Sequence, residues 1–298
     1  MSNTISEATT EQQNESTANL DQLSALDIVT LINKEDYKIA TAVQKVLPEI
    51  ATVVEIVAER LTDGGRLIYV GCGTSGRLGV LDASECPVTF GVPDSIVIGV
   101  IAGGIDALTK SMEHIEDSER EGRKAVQALA VTQRDVVVGV TSSGRTPFVL
   151  GAVTYAKSIN AVTVGVCCNA DCALNNLVDH PIAVVVGPEV LPGSTRMKAG
   201  TAQKMVLNML STASMARMGN VYGNLMVGMH AGACDKLKHR AARILRQIVG
   251  CSLETAEETL RSTDYDLKLA IVSLKNSVTI DSARHLLKSA KRLRDVIE

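Results

Sequence analysis

The stretch Arg66-Leu-Ile-Tyr-Val-Gly-Cys-Gly-Thr-Ser-Gly-Arg77 decides the fold, because a short apolar run passes directly into a loop of glycines and hydroxyl residues. Four more short apolar runs follow, at residues 95–101, 135–140, 161–166 and 181–186. Their hydrophobicity is continuous rather than alternating, as in strands that are covered on both faces. Most are separated by segments long enough for helices. The pattern predicts an α/β fold with a doubly wound, mainly parallel sheet flanked by helices.

The segments outside these runs predict the domain organisation. Residues 1–20 are polar and predict a disordered tail, and helical spacing of apolar residues over 21–46 and 50–61 predicts a helical lead-in. A long helix is expected over 205–218, and Ser252 is a plausible N-cap for a later one. We therefore expect one main domain over 21–235 and a small C-terminal helical appendage over 236–298.

Composition excludes several classes of protein. A formal net charge of -3 and only 2% aromatic residues argue against a nucleic-acid partner. The seven cysteines are an odd number in a chain of 298 residues, which indicates reduced thiols rather than a disulfide framework, and they lack the paired spacing of a zinc site. Neither a membrane-spanning run nor a basic-then-apolar leader is visible. We expect a cytoplasmic protein without a metal.

Two loops carry the same Ser-Gly-Arg sequence, each at the end of a predicted strand. Glycines and hydroxyls before a helix can hold a phosphate through main-chain amides and the positive end of that helix. The spacing fits neither a Walker loop nor a confirmed dinucleotide fingerprint, so two plain turns remain the alternative. The candidate phosphate-binding residues are Gly73, Thr74, Ser75, Gly76 and Arg77 in the first loop, and Ser142, Ser143, Gly144, Arg145 and Thr146 in the second.

A third polar run, residues 193–201, opens the predicted long helix with hydroxyls and two cations. Its candidate substrate-binding residues are Ser194 and Lys198. The alternative is that this run only caps the helix.

Two glutamates border apolar helical stripes. Leu78, Leu81 and Glu85 share one face of a helix that Pro87 is expected to end, and Glu116 follows Met112 by four residues on a second predicted helix. Partial burial favours the protonated form of a carboxylic acid, which suits acid–base work. Other glutamates lie close by, so position alone does not select this pair.

A longer run of residues resembles one particular family. The run from Gly71 to Pro87 resembles the signature of N-acetylmuramic acid 6-phosphate etherases, within the sugar isomerase (SIS) domain superfamily. Further matches occur at Ile101–Gly104, Glu116-Asp117, Ser143–Pro147, Ser194–Lys204 and Gly223–Met226. The likeness extends from about Leu20 to the C-terminus. Cys72 stands where such enzymes often have alanine, which is an exchange of one small side chain for another.

The resemblance implies an SIS-type fold, a sugar-phosphate substrate, a homodimer and no cofactor. It also implies that Glu85 and Glu116 are the catalytic acids of an elimination and hydration that remove D-lactate from N-acetylmuramic acid 6-phosphate. We assign Glu85 as the acid and Glu116 as the base that takes the C2 proton. If the phosphate lies at Ser75, an unbroken helix would carry Glu85 about 15 Å away, so Glu85 would serve the neighbouring subunit at the dimer interface.

Two other classes of protein remain open from the residues alone. A sugar-phosphate-sensing regulatory protein would bind the same ligand without converting it. An aldose–ketose isomerase would use similar acid–base chemistry on the open-chain aldehyde. The run Asp82-Ala-Ser-Glu-Cys-Pro87 favours the etherase.

Overall fold

The computed structural model describes residues 8–110, 112–290 and 292–298. It contains a sheet of five strands, all parallel, in the order β2-β1-β3-β4-β5. The strands are β1 (Leu67–Gly71), β2 (Val97–Ile101), β3 (Val136–Val140), β4 (Val162–Cys167) and β5 (His180–Ala183). Each lies within or overlaps one of the predicted apolar runs. The predicted α/β fold with a parallel sheet is confirmed.

Helices surround this sheet and form all of the C-terminal region. Among the described residues, no helix combines the length and the apolar character that crossing a bilayer requires. The α-helices are α1 (Ala25–Gln44), α2 (Leu47–Thr62), α3 (Gly73–Phe90), α4 (Glu113–Glu116), α5 (Glu119–Ala128), α6 (Pro147–Ser158), α7 (Ala173–Leu177), α8 (Lys198–Arg217), α9 (Asp235–Val249), α10 (Leu253–Ser262), α11 (Leu267–Lys275), α12 (Ile280–Ser289) and α13 (Arg294–Ile297).

Strand β1 organises the sheet because it pairs with β2 on one side and β3 on the other. All of its residues are buried. The chain crosses from β1 to β2 in one direction and later continues through β3, β4 and β5 in the other. In open parallel sheets, ligands bind beyond the carboxyl ends of the strands where this direction reverses. The last residues of β1 and β3, Gly71 and Val140, lie opposite each other in the register.

Apolar side chains cover both faces of the sheet. On one face, Val70 and Val137 pack in a cluster with Phe148, Val153 and Leu174 of the surrounding helices. On the other face, hydrogen bonds also attach two helices to the sheet. The Tyr69 hydroxyl donates to the buried carboxylate of Asp82 on α3 at 2.9 Å, and Asp82 also accepts from Asn208 (2.6 Å) and Ser211 (3.1 Å) of α8. These bonds hold α3 and α8 against the sheet.

Strand β5 and helix α3 differ in length from their prediction. Strand β5 ends at Ala183 because its pairing partner β4 ends opposite it, at Cys167. Helix α3 continues past Pro87 to Phe90, so the expectation that Pro87 ends it was wrong. Pro87 cannot donate to the carbonyl four residues earlier, but its own carbonyl still accepts from the Gly91 amide at 2.9 Å, which lets one more turn form.

The helix predicted to carry Met112 and Glu116 on one side is also interrupted. A 3₁₀ turn covers Gly104–Leu108, Met112 is the N-cap of the short helix α4, and Ser118 already caps the next helix, α5. The reason is local, because Gly103 and Gly104 both adopt positive φ and the Ser118 side chain accepts from the Glu121 amide.

The chain forms two compact units. The first comprises residues 1–84 and 95–211 and contains the sheet, and the second comprises residues 85–94 and 212–298. The second unit has its own apolar core, which includes Leu237, Leu245, Leu260 and Ile271. The boundary predicted between residues 235 and 236 falls inside this second unit.

The described part of the predicted disordered tail, residues 8–20, is folded onto the first unit. Thr10, Asn14 and Thr17 are buried, and the Thr17 hydroxyl donates to the carbonyl of Val190 at 2.9 Å. Polar side chains hold this segment by satisfying main-chain carbonyls, which hydropathy does not reveal. Residues 1–7 lie outside the described residues.

A buried ion pair joins α1 to the start of α8. The Lys198 ammonium is 1% exposed, lies 2.7 Å from Glu35 and donates to the Val186 carbonyl at 3.0 Å. Burial alone would raise the pKa of Glu35, but hydrogen bonds and charge from Lys198 and Lys38 outweigh it and lower the pKa from 4.5 to about 2. Glu35 is therefore ionised in the folded protein, and its ion pair stabilises the fold at neutral pH. This contribution is lost as the pH falls through the range in which Glu35 becomes protonated.

This shift predicts a pH-dependent loss of stability. Because the folded pKa is lower than the unfolded one, the contribution is complete above about pH 4.5 and falls by roughly 3 kcal/mol as the pH drops toward 2. Urea unfolding of the wild type and Glu35→Gln from pH 7 to pH 3 measures it. The variant should be less stable at pH 7 and should lose less stability on acidification. Parallel curves for the two proteins would contradict the assignment.

Candidate active site

A cavity of about 260 Å³ opens where the loops after β1 and β3 meet. Its walls come mainly from these two loops, with additions from three other segments. The lining residues are Glu11, Cys72, Gly73, Thr74, Ser75, Glu116, Val140, Thr141, Ser142, Ser143, Thr146, Gly193 and Thr195. The sequence-based expectation that chemistry lies at these strand ends agrees with this position.

The first loop presents the beginning of α3 to the cavity. Helix α3 starts at Gly73, so the first main-chain N–H groups of the helix lie at residues that line the cavity. Gly76 is not a lining residue, yet only glycine fits there. A Cβ at Gly76 would lie 2.6 Å from the Gly71 carbonyl oxygen. This close approach lets the chain turn from β1 straight into α3, which aims the positive end of the helix at the cavity.

The second loop arranges hydroxyl groups around Glu116. The hydroxyls of Thr141 and Thr146 lie 2.9 Å apart, and the Thr146 hydroxyl donates to Oε1 of Glu116 at 3.2 Å. Glu116 is the last residue of α4 and is half-buried. Thr146 is also the N-cap of α6. The second loop therefore combines a helix N-terminus with an oriented carboxylate in one cavity.

Gln203 of α8 connects the two loops from behind the cavity. Its side-chain oxygen accepts from the Ser75 hydroxyl at 2.9 Å, and its side-chain nitrogen donates to the Ser142 hydroxyl at 3.1 Å. In the sequence, Gln203 lies within the matching run Ser194–Lys204, but nothing there indicates a role for it. The signal that could have found it is its place on the inner side of a helix, two residues after the polar run 193–201 that opens that helix.

The cavity is lined mainly by neutral groups. Among the described lining residues, none is lysine or arginine, whereas two are glutamates, Glu11 and Glu116. Burial raises the pKa of the Cys72 thiol, with smaller contributions from the charges of Glu116 and Asp117, so Cys72 stays protonated. Two helix N-termini and the hydroxyls are the groups that can attract phosphate. Glu11 was missed by sequence reasoning, because it falls in the polar tail.

Several predicted residues lie outside the cavity lining. Arg77 donates to the carbonyls of Leu108 (3.0 Å) and Lys110 (2.9 Å) and so holds the segment before Glu116. Lys198 is engaged with Glu35, and its own main-chain amide donates to Glu189 at 2.9 Å. The remaining three, Gly144, Arg145 and Ser194, adjoin lining residues without lining the cavity themselves.

The start of α8 is therefore capped by protein rather than open to a ligand. The carboxylate of Glu189, which is fully buried, accepts from the amides of Lys198 and Ala199 at 2.9 Å each. This agrees with the alternative interpretation of the third polar run, as a helix cap. Of that run, Gly193 and Thr195 reach the cavity.

Glu85 lies in the second unit and its side chain is exposed. The expected partial burial of Glu85 is absent in the single chain, because Leu81 (52% exposed) and Val88 (44%) on the same helical face are uncovered as well. Helix α3 is unbroken between Ser75 and Glu85 and rises about 15 Å over that distance. That rise exceeds the length of a hexose phosphate.

Comparison with known proteins finds matching family models and similar sequences. Residues 49–157 match the model of the glucokinase regulatory protein N-terminal SIS domain, and residues 112–213 match the SIS domain model. An N-acetylmuramic acid 6-phosphate etherase from Vibrio campbellii is 50% identical over 97% of this chain and 94% of that protein. One from Caldanaerobacter subterraneus is 47% identical over 96% of this chain and 94% of that protein.

A solved structure shows the same fold at low sequence identity. The phosphoheptose isomerase from Neisseria gonorrhoeae is 17% identical, with a TM-score of 0.51 over 65% of this chain and 100% of that one. This similarity concerns the fold alone.

Gly144 provides a test of the second loop. It has a φ of +72°, and a Cβ there would lie 2.2 Å from the Cys172 sulfur. Gly144→Ala should lower the free energy of unfolding by roughly 2–5 kcal/mol, from backbone strain plus the clash. Gly223→Ala is the matched control, because Gly223 has a φ of +58° with open space around it, and it should lose about 1–2 kcal/mol.

Adding Cys172→Ala to Gly144→Ala separates the two causes in the same urea unfolding measurement. Removing the sulfur should recover only the part of the loss that the sulfur produces, because the Cys172 Cβ, 2.6 Å from the added Cβ, remains. Equal losses for Gly144→Ala and Gly223→Ala would show that Gly144 is not confined by Cys172.

Proposed function

This chain belongs to the N-acetylmuramic acid 6-phosphate etherase family, and from that premise we propose that the cavity between its two Ser-Gly-Arg loops is the active site. The protein is a carbon–oxygen lyase. It cleaves the D-lactyl ether of N-acetylmuramic acid 6-phosphate to give N-acetylglucosamine 6-phosphate and D-lactate, a step of amino-sugar catabolism and peptidoglycan recycling. The observation that supports this location best is the bond between Thr146 and Glu116, which puts a carboxylate beside the phosphate loops.

The phosphate is proposed to lie at the N-termini of α3 and α6. The cavity there is lined by the first turn of α3, Gly73 to Ser75, by the N-cap of α6, Thr146, and by Ser142 and Ser143. Each helix end supplies a partial positive charge of about one half. Two such ends together offset about half of the charge of a phosphate dianion, in a cavity whose described lining residues include no lysine or arginine.

Glu116 is proposed to remove the C2 proton from the open-chain sugar. The C1 aldehyde makes that proton acidic, and a positioned carboxylate can take it. The hydrogen bond from Thr146 occupies Oε1 and fixes the orientation of the carboxylate, so Oε2 is the oxygen that would receive the proton. Loss of lactate from C3 then gives an unsaturated aldehyde.

Glu85 is proposed to protonate the departing lactate oxygen and then to activate the water that adds at C3. The rise of α3 supports its acting on the cavity of a second subunit rather than on that of its own chain. The uncovered face of Leu81 and Val88 beside Glu85 supports the same arrangement, since a homodimer would bury it. The active site would then be completed at the dimer interface.

The buried cysteines are consistent with a reducing compartment. Cys72, Cys86, Cys167, Cys168 and Cys172 are buried free thiols. Such thiols persist in the cytoplasm, where we place the protein.

The first test measures D-lactate released from N-acetylmuramic acid 6-phosphate in water enriched in the heavy oxygen isotope. Elimination followed by hydration puts the label at C3 of the sugar and leaves the lactate unlabelled. Glu85→Ala and Glu116→Ala should each lower the turnover by at least about 100-fold, because each removes an acid–base group. Glu119→Ala, an exposed glutamate on α5, is the control and should retain activity.

Three results would contradict this proposal. Label in the lactate would mean cleavage on the lactyl side of the ether, without elimination. Binding of N-acetylglucosamine 6-phosphate without any lactate release would favour a sensor, like the regulatory protein whose SIS model matches residues 49–157. Conversion to a ketose phosphate would instead favour an isomerase.

The second test mixes subunits to locate the shared site. In a dimer of one Glu85→Ala and one Glu116→Ala chain, a site built from both subunits contains either two intact glutamates or none. Random exchange should therefore restore about a quarter of wild-type activity. Activity that stays at the level of the separate variants would place both glutamates of each site on one chain.

A further inference from the structure

We infer that Gln203 is a positioning residue that sets which serine of the two loops donates to the phosphate. The inference rests on the proposed function, in which the cavity binds a phosphorylated sugar. Gln203 itself is 1% exposed and does not line the cavity, whereas Ser75 and Ser142 do. Its effect on the ligand therefore passes through these two hydroxyls.

The side-chain amide of Gln203 has one accepting and one donating end, and each end meets a different serine. Ser75 donates its hydroxyl hydrogen to the amide oxygen at 2.9 Å, and Ser142 accepts from the amide nitrogen at 3.1 Å. A serine hydroxyl has a single hydrogen to give. The hydroxyl hydrogen of Ser142 is therefore free to point into the cavity. The hydroxyl oxygen of Ser75, whose hydrogen is already donated to Gln203, presents its lone pairs to the cavity.

The two serines consequently suit different parts of the ligand. A phosphate dianion offers only acceptor oxygens, so the Ser142 hydroxyl is a phosphate donor. The Ser75 hydroxyl is an acceptor, suited to a sugar hydroxyl or an amide N–H, and Ser75 contributes its main-chain N–H to the phosphate instead. The two similar Ser-Gly-Arg loops thereby acquire different roles.

The surroundings of Gln203 hold it in this position. Helix α8 is tied to α3 through Asp82, which accepts from Asn208 and Ser211. One turn before Gln203, a Cβ at Gly200 would lie 3.3 Å from the Thr74 methyl group, so α8 runs close against the first loop. Ser75 and Ser142 are also nearly buried, at 6% and 9% exposed. Both bonds are therefore shielded from competing water.

The test compares Gln203→Glu with Gln203→Met by calorimetric titration with N-acetylglucosamine 6-phosphate. An ionised glutamate only accepts, so Ser142 turns its hydrogen away from the cavity. At pH 8, Gln203→Glu should bind the sugar phosphate roughly 10- to 100-fold more weakly than the wild type. Gln203→Met leaves both hydroxyls free to rotate and should lose much less.

A pH series gives the readout that a purely structural role would not change. A protonated glutamic acid can both accept and donate, as the amide does, and burial raises the pH at which it protonates. The affinity of Gln203→Glu relative to the wild type at the same pH should therefore recover between about pH 8 and pH 5. Reference to the wild type cancels the protonation of the phosphate itself, whose second pKa is near 6.

A double variant tests the route through Ser142. Ser142→Ala should weaken binding in the wild type and cause little further loss in Gln203→Glu at pH 8, since the donor is already withdrawn there. Equal pH-independent losses in Gln203→Glu and Gln203→Met, or additive losses with Ser142→Ala, would overturn the role of Gln203. If the wild-type protein does not bind the sugar phosphate at all, the proposed function fails instead.

Discussion

Strand β1 is the constraint on which the site depends, because it is fully buried and pairs on both sides. The crossovers from β1 and from β3 leave in opposite directions, so the loops after these strands have no covering connection above them. They lie next to each other because Gly71 and Val140 are partners in the register. Two loops that are far apart in sequence thereby form one cavity.

Charges are distributed unequally within the first unit. Two ion pairs with buried carboxylates are used for the fold: Lys198 with Glu35 holds the start of α8, and Arg66 with Asp135 joins the beginnings of β1 and β3 at 2.8 Å. The cavity instead has neutral donors, helix ends and the carboxylate of Glu116. Helix ends attract phosphate without contributing a proton of their own.

Two features of helix α3 support the proposed shared active site. Helix α3 carries Ser75 in its first turn and Glu85 much further along, beside apolar side chains that stay exposed. A rigid helix cannot bring both residues to one small ligand. A homodimer would resolve both features at once, since the apolar face would be buried and Glu85 would approach another cavity. The proposed shared site follows from the length of this helix.

The sequence by itself determined the class of fold, the family and the identity of both loops. Continuous apolar runs mark buried parallel strands, and the Ser-Gly-Arg loops lie directly after two of them, so local pattern was sufficient. It did not determine which polar residues face the ligand. Lys198 looked like a phosphate ligand but is buried with Glu35, while Glu11, in a segment predicted to be disordered, lines the cavity. The partners of such side chains lie far away in sequence, as Gln203 does from Ser75 and Ser142, and a local pattern carries no information about them. Only the packing of α1, α3 and α8 around the sheet decided those contacts, because a buried polar group takes whichever partner the tertiary structure brings within hydrogen-bonding distance.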